Sequence, residues 1–132
     1  MNTEWKYKIE VTNINVFTEI ENERHISFPP ELKKLIIEAN AATPVKYNFM
    51  VGNSEKVLGS ILSFNRDETD TDTVFVALSA IIDTNLLPFG IDPFGNYICY
   101  ALKNKSIVFW DHETDRVTFI SKSLFEFIES LY

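Results

Sequence analysis

The chain has little of what catalysis and cofactor binding most often draw on: 1 cysteine, 2 histidines and 4 glycines in 132 residues. A single cysteine excludes an internal disulfide. Cys99 lies in an apolar, strand-like run, so it reads as a buried structural thiol in a reducing, cytoplasmic setting. With so few glycines there is no G-x-G-x-x-G or G-K-S/T run, which argues against phosphate-cradling loops and a bound nucleotide. No apolar run approaches the ~18 residues of a membrane span, and Met1 to Lys8 is polar and mixed in charge, so neither a membrane partner nor export is expected.

Bases are also scarce, 12 against 19 acids, for a net charge of -7. The imbalance is local. Between Asp67 and Asp115 nine acids face only Lys103 and Lys105, whereas outside that window ten acids balance ten bases. Phosphate backbones demand Lys and Arg, so this half should repel nucleic acid. An acidic surface steers basic partners towards itself, or simply keeps a protein soluble.

What is present is ordinary for a globular domain: 45% hydrophobic and 23% charged residues, at a length that suits one core over residues 1–132. Trp5, Tyr7, Ile9 and Val11 alternate with polar residues and predict an opening strand. Phe17, Ile20 and Arg24 allow a short helix. Ser27-Phe28-Pro29-Pro30 is a helix-start signal, followed by Leu32, Leu35, Ile36 and Ala39 on one helical face. Val45 to Phe64 predicts a hairpin turning at Gly52-Asn53-Ser54, and Arg66 to Thr73, with no apolar residue, a solvated loop. Val74 to Ile82 is ambiguous, with Val74, Leu78, Ile81 and Ile82 favouring helix. Leu86 to Phe89, Tyr97 to Leu102, Ile107 to Trp110 and Val117 to Ile120 read as strands. Ser123 and Glu126 make a capping box before a last helix with Leu124, Phe127, Ile128 and Leu131 inward. Such short connections favour an α+β fold, a mostly antiparallel central sheet with helices packed against it.

Few residues could carry chemistry. Nothing places His25 or His112 beside Cys99 as a base. Asp111-His112-Glu113, with Asp115, concentrates the groups of a metal or acid–base site, but adjacent strand residues point to opposite faces, so a strand-end turn is the favoured reading. Asp67, Asp70 and Asp72 lack the glycine and closing glutamate of a calcium loop. No metal, cofactor or catalytic residue is therefore expected. Phe94, between Pro93 and Gly95, either stands exposed as a partner's anchor or tucks over the core.

Four segments together resemble the SUKH superfamily, which joins fungal cell-wall-synthesis regulators to bacterial immunity proteins. They are Phe28-Pro29-Pro30-Glu31-Leu32 and its helix ending at Ala39-Asn40; Leu62-Ser63-Phe64-Asn65 before an acidic loop; Leu87 to Cys99 with Pro88-Phe89-Gly90 and Asp92-Pro93-Phe94-Gly95-Asn96; and Val108-Phe109-Trp110-Asp111-His112-Glu113 before a helix bearing Phe125 and Phe127. The resemblance covers residues 28–132 and leaves 1–27 as a variant strand and short helix. Two departures stand out. The family usually has Asn-Gly-Gly where this chain has Asn40-Ala41-Ala42, and more often a helix than a strand before Phe28.

The resemblance implies an α+β fold and a non-enzymatic, protein-binding role as an immunity protein neutralising a toxin, with nucleases among such toxins. The partner surface would be basic and would meet Asp67, Glu68, Asp70, Asp72, Asp92, Phe94, Asp111 and Glu113. The alternatives are a regulatory interaction module of the same fold without a toxin, and a small hydrolase or metal enzyme on Asp111, His112 and Glu113.

Overall fold

The computed structural model describes residues 3–132. A two-residue strand, β1 (Trp5–Lys6), and helices α1 (Val16–Arg24) and α2 (Pro30–Ala39) precede β2 (Thr43–Pro44), the hairpin of β3 (Asn48–Val51) and β4 (Ser54–Val57), and β5 (Ser60–Ile61). Helix α3 (Val74–Ala80) follows, then β6 (Leu86–Ile91), β7 (Tyr97–Ala101), β8 (Ser106–Trp110), β9 (Val117–Ser121) and the last helix, α4 (Leu124–Ser130). Strands β5 to β9 form one antiparallel sheet in sequence order. Each is joined to the next by a short turn except β5 and β6, which are separated by α3. The α+β architecture expected from the pattern is the one observed.

Every residue of β6, β7 and β8 is buried, so the centre of the sheet is covered on both faces and its strands lose the in/out alternation of a half-exposed sheet. Pro88, which cannot donate to a ladder, sits where the β6–β7 register slips by one residue. On one face the α4 residue Phe127 meets Phe49 at 5.3 Å and Phe89 at 6.2 Å, while Phe49 reaches Phe109 at 6.5 Å. The Phe28 ring of the proline-led helix start joins Phe17 and Phe64 in a second aromatic cluster.

The opening strand is shorter than the alternation predicts. Pairing stops after Lys6, and Tyr7 takes a left-handed backbone, φ 64°. Two buried asparagines hold the following segment instead. Asn40 donates to the Ile9 carbonyl and accepts from the Phe64 amide, while Asn65 accepts from the Thr12 amide and donates to the Glu10 carbonyl. Trp5, Ile9 and Val11 are half-buried but Tyr7 is 81% exposed, so the alternation holds only in part and the segment beyond Lys6 has no strand neighbour. Ala41 occupies φ 61°, the conformation that glycine takes without penalty and that costs other residues about 1–2 kcal/mol.

Val74 to Ile82 is a helix only to Ala80; Thr73 caps it by accepting from the Val76 amide. Half of the expected capping box at α4 forms. Ser123 Oγ accepts from the Glu126 amide at 3.1 Å, but the Glu126 carboxylate lies 3.6 Å from Lys122 rather than turning back to the cap.

Candidate partner-binding surface

The β6–β7 turn is built around one buried carboxylate. Asp92 Oδ1 accepts from the Phe94 and Asn96 amides at 2.9 and 2.8 Å, and Oδ2 from Asn96 Nδ2 at 3.0 Å. Asp92 is only 4% exposed, so it is not available to a partner, against the sequence expectation. Its effect is to fix the turn. Gly95 takes φ 87°, and Phe94 is held at the tip, 77% exposed. Of the two readings of this ring, the outward one is observed.

Asn96 ties this turn to the next. Its Nδ2 is committed to Asp92, so Oδ1 accepts from the His112 amide at 3.0 Å and, at 2.6 Å, from ring Nδ1, which therefore carries the proton. In the β8–β9 turn Asp111 Oδ1 accepts from the amides of Glu113 and Thr114, and Asp115 accepts from Trp110 Nε1. The Trp110 indole stacks on Tyr97 with ring centroids 5.8 Å apart. Asp111 and Asp115 thus shape the turn, leaving Glu113 exposed with its carboxylate 3.9 Å from His112 Nε2.

The acidic loop is tied to the segment after β5, where the Ser63 amide donates to the Asp72 carbonyl at 2.9 Å. Burial raises the Tyr97 phenol above its ordinary pKa, and the Asp72 carboxylate adds to the rise. Asp67, Asp70 and Asp72 are exposed. Glu68 is half-buried and accepts from Ser63 Oγ and the Asp70 amide. Arg66 does not offset these acids, because its guanidinium is engaged by Glu19 and Glu23 of α1 and lies over the Phe75 ring.

Elsewhere the structure offers little chemistry. Among the described residues no group of three or more histidine, cysteine or carboxylate side chains is placed to hold a metal. Cys99 is fully buried, and that burial pushes its thiol far above the usual range, away from the reactive thiolate. No helix among the described residues is long and apolar enough to cross a membrane. Sequence reading missed the exposure of Val76, in the first turn of α3, and of Ile82, just beyond its end. Their signal was the charge-free run Thr73 to Ile82, which reads equally as a buried segment.

A family model described as SMI1-KNR4 cell-wall, SUKH_6, matches residues 15–128. The chain belongs to this SUKH family. The match begins earlier than the motifs that suggested it and takes in α1, so the SUKH unit includes a helix before Phe28, as the family pattern has it. No curated protein matches the chain. Within this SUKH domain, the turns bearing Phe94 and Glu113 and the loop bearing Asp67, Asp70 and Asp72 supply an exposed aromatic and exposed carboxylates, the materials of a protein-binding surface.

Proposed function

We propose that this SUKH domain is a non-enzymatic immunity protein that neutralises a toxin domain by direct binding, with Phe94 as anchor and Asp67, Asp70, Asp72, Asp111 and Glu113 facing a basic partner surface. The observation that carries the reading is Phe94, an aromatic held outward by a turn whose own carboxylate is buried to fix it. An aromatic presented rigidly binds at low entropic cost, and the surrounding acids add association rate and selectivity for a basic patch. Toxins that act on nucleic acids carry such patches, and binding there would occlude the cleft.

Affinity capture with the intact chain as bait, at low and high salt, tests this. The expected result is a toxin-like C-terminal domain retained at low salt, released at high salt and lost with Phe94→Ala. Recovery of endogenous proteins alone, whatever the salt, would favour a second reading, a regulatory interaction module of the same fold. The cell-wall description of the matching family gives that second reading its support.

A further inference from the structure

Helix α3 carries apolar residues on its solvent side as well as its buried side, with Ser79 the one polar residue between Val74 and Ala80. Val74, Ala77 and Ile81 point into the core, but Val76 and Ile82 stand 62% and 90% exposed, with Ala80 exposed between them. From Thr73 to Ile82 there is no charged residue. A helix with apolar residues on its solvent side as well as its buried side is expected where something covers it. Acids border this surface: Glu68 and Asp72 line one open groove with Phe75 and Val76, and Asp83 directly follows Ile82. Two cations also lie at this surface, both already engaged, and Arg66 lines the same groove with its guanidinium over the Phe75 ring. Arg66 is paired with Glu19 and Glu23, and the Arg24 guanidinium donates to the carbonyls of Leu78, Ile81 and Asp83 at the end of α3.

We propose that the outer face of α3 docks an amphipathic basic segment of a partner protein, its apolar side chains on Val76, Ala80 and Ile82 and its lysines or arginines on Glu68, Asp72 and Asp83. The acidic border selects the occupant. A second copy of this chain would bring the same carboxylates against one another on a molecule of net charge -7, a repulsion that a basic partner converts into attraction. The inference rests on the protein-binding reading above and names the partner's chemistry for an adjoining part of the surface.

The test uses an amphipathic leucine–lysine peptide, with serine–lysine and leucine–glutamate peptides as controls, titrated calorimetrically into the intact chain and its Val76→Ser/Ile82→Ser variant. Both positions are exposed, so the variant keeps its fold, which its far-UV spectrum and melting curve check directly. The leucine–lysine peptide should bind the wild type and lose about tenfold in affinity on the variant, the scale of a lost apolar anchor, while the serine–lysine peptide should not distinguish the two. Equal affinity of the leucine–lysine peptide for both proteins, or tighter binding of the glutamate peptide, overturns the proposal. A peptide that maps to α3 when capture yields no toxin-like domain upholds this surface and removes the toxin reading. A captured toxin domain indifferent to Val76→Ser/Ile82→Ser does the reverse.

Discussion

Tyr100 spans two elements with a single hydrogen bond: rooted in β7, its hydroxyl donates to Glu31 of α2 at 2.8 Å. Burial raises its pKa well above 10.0, and the Glu31 carboxylate, which a phenolate would repel, raises it further. A folded-state pKa above the unfolded one contributes stability that is complete below the unfolded value and fades as pH rises beyond it. The Tyr100 contribution is therefore intact at neutral pH and falls once pH passes about 10, where the unfolded tyrosine ionises. Tyr100→Phe should cost about 1 kcal/mol at pH 8. Its urea unfolding curve should converge on the wild type's at pH values above about 10. Some alkaline loss should persist in the variant, because the Tyr97 phenol is raised as well. A stability difference that stays constant through the alkaline range would contradict this account. Neither tyrosine's partner was legible from sequence, since the Glu31 contact spans 69 positions and leaves no local pattern. The same holds for Asn40 and Asn65, whose side chains replace a strand neighbour for residues 9 to 12.

Elements with a strong local signal were readable, and those decided by tertiary context were not. Helix α2 announces itself through prolines at its start and an unbroken 3.6-residue stripe, and β6 to β9 through apolar runs cut by turn residues. The Trp5 to Val11 alternation misled because period two does not report whether a neighbouring strand exists, and the left-handed backbone at Tyr7 breaks the strand and leaves that ring in solvent. On the candidate surface, Phe94 was legible as an aromatic inside a polar turn. The burial of Asp92 was not, since an Asp opening a turn reads the same whether its carboxylate faces inward or outward. In α4 the helical period did separate Phe127 from Phe125, and the first is fully buried against Phe49 and Phe89 while the second is largely exposed. Phe127→Ala should therefore cost about 3–5 kcal/mol and Phe125→Ala less than about 0.5 kcal/mol. Urea unfolding of the two variants measures this, and similar losses would mean that α4 is seated differently.

For the whole molecule, the informative quantity is where the charge lies along the sheet. Turns β6–β7 and β8–β9 share one end and carry Phe94, Asp111, Glu113 and Asp115, whereas the β7–β8 turn at the other end carries Lys103 and Lys105. The intervening strand β7 has five residues, which at about 3.3 Å each separates the ends by about 17 Å. That is about twice the ~8 Å Debye length at physiological ionic strength, so the lysines do little to neutralise the acidic end as a partner sees it. Charge changes at the two ends should therefore act independently. Glu113→Lys at the acidic end should slow association with a basic partner by about threefold or more and flatten its salt dependence, with a smaller effect on dissociation. Lys103→Glu combined with Lys105→Glu should leave the association rate within about twofold at physiological salt, because the change lies beyond the screening distance. Stopped-flow association at two ionic strengths separates these outcomes. If the lysine-end variant changed the rate as much as the acidic-end variant, net charge rather than the acidic end would be steering the encounter, and the placement of the partner at these turns would fall with it.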